Sequence, residues 1–312
     1  MKILVTGCHG FIGHHVCRRL LADGHRVTGI DRLKRALSPK EDRVAEIAGL
    51  GLEFVECDLA DFKAVRAIVA DGGFDTVAHI AAQFAIGHAT GYLSRYVRGN
   101  VHAFLHVFEA ALLAGVGRVV YASSIEAKPG PTSLYGATKV FNEAAAHVYS
   151  ARLGMEAVGL RYGVTYGPFM RPDTAMRRTF KNMLEGGEIR WQTHYGAKKP
   201  YLHIDDAAEF TVRCLTSELP RKHNIALLAA DDPFADLGDA VEIAAPVLGV
   251  PVRHPREYRR SPRDRMPDLA AIRELTGAVP GVKLEPGVAD LARWMLASRT
   301  ADGMADGTGE SR

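Results

Sequence analysis

Apolar residues fall in short blocks along the first half of the chain, and helix-period stretches separate the blocks. Lys2–Thr6 reads KILVT, a run of strand length, and Phe11–Asp23 then carries Ile12, Val16, Leu20 and Leu21 at helical spacing. The alternation continues. Strands are predicted at Arg26–Ile30, Leu52–Cys57, Thr76–Ile80, Val119–Ala122 and Glu156–Arg161. Helices are predicted within Arg32–Gly49, with Pro39 near the start, and at Phe62–Val69, Tyr92–Ala114 and Tyr135–Leu153. Short strands alternating with helices predict an α/β fold, a Rossmann-like doubly wound parallel sheet.

After Pro168 the texture changes. Helical pieces at Ala175–Leu184 and Ala207–Thr216 are separated by loops rich in Gly and Pro, Lys222–Leu228 reads as a strand, Ser261–Pro267 is polar and irregular, and Leu284–Met295 is a last helix. The expected organisation is a dinucleotide-binding domain over 1–168 with some later segments returning to it, and a smaller, mainly substrate-binding lobe over 169–299. The Gly-rich tail over 300–312 lacks an apolar face and is expected to be disordered. At 312 residues the chain can bury two such cores without staples.

Charge narrows the partners. Lys+Arg 39 against Asp+Glu 36 leaves +3, which gives no electrostatic ground for a nucleic-acid or polyanionic membrane partner. Cys8, Cys17, Cys57 and Cys214 are scattered without metal-ligand spacing, and a reducing, cytoplasmic setting is expected. Met1 leads directly into a strand pattern without a signal peptide, and no apolar run reaches the length of a membrane span.

The candidate chemistry begins at TGCHGFIG, where Gly7, Gly10 and Gly13 sit at the predicted strand-to-helix turn. Glycines there let backbone approach a pyrophosphate, and the helix N-terminus favours its charge. Asp31 ends the second strand, where a carboxylate accepts hydrogen bonds from both hydroxyls of an adenosine ribose and repels a 2′-phosphate, so NAD is expected over NADP. Arg32 beside it favours a phosphate and argues the other way. Asp58, with Leu59, follows the third strand and reads either as an adenine-edge contact or as a surface carboxylate. His79 reads as structural, and no ligand set is read among His9, His14 and His15; no metal is expected.

The fifth strand ends in YASS, and Tyr135 and Lys139 of YGATK lie four apart on one helix face. The Lys139 ammonium is expected to favour the Tyr135 phenolate and to hold a nicotinamide ribose. Tyr135 can then act as a base on a sugar hydroxyl while Ser124 hydrogen-bonds the reacting oxygen.

Taken together, TGCHGFIG, Asp31, HIAAQ, Asn100, YASS, YGATK, LRYGVTYGP and HIDD resemble the extended short-chain dehydrogenases/reductases of the nucleotide-sugar epimerase/dehydratase family. YGATKVFNEAAAHVYS and GPFMRPDTA make the UDP-glucuronate 4-epimerases the closest resemblance. The resemblance implies a tightly held NAD, a 4-keto sugar intermediate, a nucleotide-sugar substrate and a homodimer built through two helices of the first lobe. It places the cofactor against Gly7, Gly10, Phe11, Ile12, Gly13, Asp31, Arg32, Asp58, Leu59, Ala81, Ala82, Gln83, Asn100, Tyr135, Lys139 and Tyr162, and the substrate against Ser124, Tyr135, Val164, Arg171, His88 and Arg263.

Departures from the family pattern cluster around the sugar. Only IEAKPGPTSL separates Ser124 from Tyr135, a shorter loop than is usual. Gly87 and His88 replace an Arg–Tyr pair, and Val164 replaces a Thr or Asn. Arg171 reads either as the uronate carboxylate contact or as a rim residue paired with Asp173; the diphosphate contact is Arg263 or Arg260. Glu126 resembles the catalytic base of sugar 4,6-dehydratases and of decarboxylases, or else faces solvent, while Ile125 fills the place of the accompanying acid and cannot donate a proton. The expected activity is a nucleotide-sugar 4-epimerase acting on UDP-glucuronate/UDP-galacturonate, with a 4,6- or 5,6-dehydratase or a decarboxylase using Glu126 as the alternative.

Overall fold

The computed structural model describes residues 1–33, 41–84, 93–186, 198–252 and 265–306. They form two compact units. The first comprises Met1–Gly163, Asp205–Leu228 and Asp268–Pro280; the second comprises Val164–Ile204, Ala229–Pro267 and Gly281–Arg312.

The first unit is built on strands β1 (Lys2–Thr6), β2 (Arg26–Asp31), β3 (Glu53–Glu56), β4 (Thr76–His79), β5 (Arg118–Ser124), β6 (Glu156–Tyr162) and β9 (His223–Leu228), in the order β3-β2-β1-β4-β5-β6-β9. Every pairing in this sheet is parallel. The sequence order reverses between β1 and β4. That is the switch point at which a doubly wound sheet opens a crevice at the carboxyl ends of its strands. Parallel strands covered on both faces read as continuous apolar runs, which is why KILVT and TVAH are almost wholly buried. The edge strand β3 differs: its Glu53 and Glu56 are exposed, and carboxylates on an edge discourage further strand pairing.

Helices α1 (Phe11–Ala22), α2 (Glu41–Gly49), α3 (Phe62–Gly72), α4 (Leu93–Tyr96), α5 (Ala103–Leu113), α6 (Leu134–Leu153), α8 (Ile204–Thr216) and α10 (Ala270–Thr276) accompany the sheet. Their ends follow local chemistry. Asp61 caps α3 through the amide of Ala64, Ser133 caps α6 through the amide of Gly136, and Gly154 ends α6 at a φ of 77°. Under α6 the core closes on Tyr121, whose ring is met by Phe104 and Phe108 at centroid distances of 5.3 and 5.7 Å.

The single helix expected over Tyr92–Ala114 differs in its middle. A π-helical turn, Val97–His102, joins α4 to α5 and sets Asn100 inward, 1% exposed. With its amide nitrogen directed inward, Asn142 of α6 donates to the backbone oxygens of Asn100 and Thr138 at 3.1 Å each. A neighbouring helix thus satisfies a carbonyl that the wider turn presents.

In the second unit, β7 (Val164–Tyr166) and β8 (Tyr201–His203) pair in parallel, with α7 (Ala175–Leu184), α9 (Leu237–Leu248) and α11 (Leu284–Asp306). Asp236 and Asp239 form a capping box on α9, and Lys198 Nζ reaches their carboxylates at 3.0 and 2.6 Å. Helix α11 runs on through Asp306, past Thr300, where the sequence analysis expects a disordered tail. Lengthening an existing helix needs no new nucleus, so weak formers are carried along. Residues 307–312 lie outside the described residues. No described helix is long and apolar enough to cross a membrane.

Candidate active site

The carboxyl ends of six neighbouring strands, β3-β2-β1-β4-β5-β6, carry most of the expected site residues. After β1 the chain turns at Gly7, whose φ is +73° and whose amide donates to Ile30 O at 2.7 Å. A Cβ there would stand 2.9 Å from the Ala81 backbone, and one on Gly13 would collide with the Gly7 carbonyl oxygen. The turn closes with Gly10 N donating to Gly7 O at 2.9 Å, and Gly10 caps α1 without a side chain. Phe11, Ile12 and Gly13 therefore form the first turn of a helix whose amides face away from its own carbonyls. A side-chain-free turn ahead of such a helix end fits a pyrophosphate.

Asp31 ends β2 as expected. Its two oxygens accept from His9 N at 3.0 Å and Arg32 N at 2.7 Å, which fixes the carboxylate against the glycine turn. Arg32 turns to Asp58, at 3.5 Å, and Arg98 reaches the same Asp58 oxygen at 3.0 Å. Burial alone raises the Asp58 carboxyl, but the Ala60 amide and the two guanidinium groups outweigh it and hold the pKa below the usual value. Leu59 is buried, and its carbonyl accepts from His106 at 2.9 Å.

Beyond β4, Ala81 N donates to Thr6 Oγ1 at 3.3 Å, and Thr6 Oγ1 lies 2.9 Å from His79 Nδ1. Either the Thr6 hydroxyl or the His79 ring nitrogen can supply the proton of that bond, since the hydroxyl has a second lone pair besides the one Ala81 uses. Burial first, then the charge of Lys139, pushes the His79 pKa down to about 3. His79 is a neutral positioning group for the Ala81–Ala82 segment. Gln83 is tied to Asn100 by two bonds, Gln83 N to Asn100 Oδ1 at 2.6 Å and Asn100 Nδ2 to Gln83 O at 3.1 Å, and Asn100 Nδ2 also reaches Thr138 Oγ1 at 3.1 Å. Thr138, between Tyr135 and Lys139, is a positioning residue that motif reading passes over.

At the end of β5, Ser124 is 8% exposed and accepts from Glu126 N at 3.1 Å. Its hydroxyl lies near enough to the Tyr135 phenol to lower that group's pKa. Lys139, 1% exposed, donates from Nζ to Ala122 O at 2.7 Å, with its nitrogen 5.4 Å from the centre of the Tyr135 ring. Three expected residues are thus brought together. The expected direction of the phenol shift is corrected, however. Burial raises Tyr135 to about 12, partly offset by the Ser124 hydroxyl and reinforced by the charge of Glu126 and by Tyr96. Lys139 is lowered to about 8 by burial, against the pull of Glu143. Loss of water around the phenol outweighs an ammonium that is itself poorly solvated.

Glu126 is half-buried, not solvent-facing: a Cβ on Gly136, the residue after Tyr135, would stand 2.7 Å from the Glu126 carbonyl oxygen. Phe84 meets the Tyr135 ring edge-on at 5.0 Å. Tyr162 is buried and bonds Thr211 through its hydroxyl at 2.6 Å. Arg161 Nε and Nη2 hold Glu143 at 2.7 and 2.6 Å, and Ser123 Oγ donates to Glu143 at 2.6 Å. Glu143 stands one turn beyond Lys139, the spacing at which sequence alone could have found it.

Val164 begins β7 and Arg171 follows it, both in the second unit. Arg171 directs its fork at Asp173, Nε to Oδ1 at 3.0 Å and Nη2 to Oδ2. Gly87, His88, Arg260 and Arg263 lie outside the described residues.

The family model described as the NAD dependent epimerase/dehydratase family matches residues 3–226. The chain belongs to that family. NAD is accordingly the dinucleotide of the glycine turn. UDP-glucuronate 4-epimerase 1 of Arabidopsis thaliana is 26% identical, across 95% of this chain and 77% of that protein. Among solved structures, the UDP-glucuronic acid 4-epimerase of Bacillus cereus in complex with UDP-glucuronic acid and NAD is 26% identical with a TM-score of 0.83, covering 96% of this chain and 100% of that one. A dTDP-glucose 4,6-dehydratase from Streptomyces venezuelae with NAD bound is 25% identical with a TM-score of 0.82, covering 96% and 98%.

Buried neutral His79 gives a testable pH signature. Its folded pKa of about 3 lies below the unfolded 6.5, so the stability it contributes is present above pH 6.5 and is lost as pH falls toward 3. His14 differs, because the Glu46 carboxylate 2.9 Å from its ring favours the charged form against its burial. The unfolding free energy read from urea titration is expected to fall as pH drops below 6, by up to about 1.4 kcal/mol per pH unit from His79. His79→Gln should make that slope shallower; an unchanged slope contradicts the assignment.

Proposed function

We propose that the protein is a nucleotide-sugar 4-epimerase that interconverts UDP-glucuronate and UDP-galacturonate through a 4-keto sugar. The observation that carries this reading is Lys139 Nζ, bonded to Ala122 O and 5.4 Å from the centre of the Tyr135 ring, with Ser124 ending the same strand β5. NAD, when bound, supplies the hydride acceptor and donor for C4 and a cationic ring that favours the phenolate. Tyr135 takes the proton of the C4 hydroxyl at its phenol oxygen and returns it after the sugar has turned. Ser124 donates to the C4 oxygen as it becomes a carbonyl. Lys139 holds the helix face in place through Ala122 and supplies positive charge below the phenol. The uronate is supported by the names of the similar proteins, while Arg171 makes the pair with Asp173 that is the alternative to a uronate contact. Tyr135→Phe should retain NAD and lose at least about a thousandfold in turnover, roughly the weight of a general base with its oxygen. Product analysis by mass spectrometry and NMR should show an isomer of unchanged mass; full activity in this variant would sink the mechanism.

A second reading rests on Glu126. The residue is half-buried two positions after Ser124, and its charge raises the Tyr135 pKa. Once C4 of a neutral hexose is a ketone, such a carboxylate can take the C5 proton while the C6 hydroxyl, protonated by solvent, leaves as water, which gives a dehydratase. Glu126→Gln separates the two. For the epimerase, kcat stays within about threefold and the acid limb of its pH profile moves to lower pH, because removing the negative charge lowers the phenol pKa. For the dehydratase, turnover collapses and the product mass falls by one water.

The assembly proposed is a homodimer through α6. Its inward face carries Lys139, Asn142, Glu143, Ala146 and Ser150, while Leu134, Phe141 and Val148, seven residues apart, are 46, 41 and 54% exposed. An outward apolar stripe of coiled-coil period suits a second copy of the same helix. Light scattering should give twice the chain mass, and Phe141→Lys should yield monomers; a wild-type monomer at micromolar concentration would refute this assembly.

A further inference from the structure

The glycine turn carries two side chains that holding a pyrophosphate does not require. Cys8 and His9 occupy the positions between Gly7 and Gly10, and one donor atom from each, with one from Asp31, lie within 4.8 Å of one another. Among the described residues, no other three Cys, His, Asp or Glu side chains meet in this way. All three are held in place. Cys8 is fully buried, and a Cβ on Gly29 would stand 2.7 Å from its sulfur. His9 is 1% exposed with its ring centroid 4.6 Å from that of Phe54. Asp31 is fixed by the amides of His9 and Arg32.

A thiolate, a neutral imidazole and a carboxylate carry two negative charges, so a divalent cation makes the buried set neutral. Sulfur, nitrogen and oxygen donors match the zinc class. Donors around such an ion stand about 3.5 Å apart, so the set must tighten by about 1 Å.

We propose that Cys8, His9 and Asp31 bind a thiophilic divalent cation of the zinc class at the adenosine-ribose position, so that metal and NAD exclude one another. On binding, metal–sulfur, metal–nitrogen and metal–oxygen bonds replace three aqua ligands, and the Cys8 thiol proton passes to solvent. Cys17 is not a ligand. Its sulfur lies outside the group formed by the other three donors. The exclusion rests on Asp31 as the ribose acceptor.

The full chain, stripped of NAD, is titrated with cobalt(II) and read by its sulfur-to-metal charge-transfer absorption. One equivalent should bind with that band, and saturating NAD should remove it. Cys8→Ser should abolish the band, Cys17→Ser should keep it, and His9→Gln should weaken cobalt binding tenfold or more, each variant being checked for native circular dichroism. No band, a band lost in Cys17→Ser, or a His9→Gln affinity equal to wild type overturns the metal site. A band that survives saturating NAD overturns the exclusion. NAD binding is measured separately by calorimetry, and its absence would strike the cofactor reading instead.

Discussion

The buried ammonium of Lys139 constrains everything around the reacting centre. A cation taken out of water needs a partner, and here the partner is the carbonyl of Ala122 at 2.7 Å, inside β5. That single bond sets the rotation of α6 against the sheet. Tyr135, one turn earlier on the same helix, is thereby delivered to the end of β5, where Ser124 stands. Glu143, one turn later, is gripped by Arg161 of β6 and Ser123 of β5, so strand residues hold the helix at two levels.

The other half of the site is held by backbone. Gly7 and Gly13 approach neighbouring main chain too closely for any side chain, and Asp31 is pinned by two amides. Such a turn is rigid because the groups around it are satisfied, and the Thr6–His79 pair extends the same bonding to the segment from Ala81. Asp58 shows the contrast. It is consumed by Arg32 and Arg98, which draws Arg32 away from the place where it would favour a 2′-phosphate.

Much of this was legible in the chain because the signals were periodic or local. The strand blocks, the glycine spacing and the four-residue step from Tyr135 to Lys139 each encode geometry within one element. What escaped depends on neighbours distant in sequence. Strands β7 and β8 span three residues each, too few for any period to show. The last helical turn of α9 contains Pro246, which reads as a breaker until its companions are in place. The raised phenol of Tyr135 follows from how many groups surround it, a property of packing that a charge argument from Lys139 alone reverses. Glu126 is half-buried, with its backbone lying close over Gly136, an approach between loop and helix that no local pattern encodes.

The wide turn at Val97–His102 has a consequence for how this chain can vary. Asn100 reads two partners, Gln83 before it and Thr138 on another helix, so its position is counted from both directions. Deleting one residue from the π-helical turn would restore ordinary winding and rotate the amide by about 100°, away from both. Insertions and deletions should therefore accumulate outside 97–102 among descendants of this chain, and the irregular turn should be inherited at constant length.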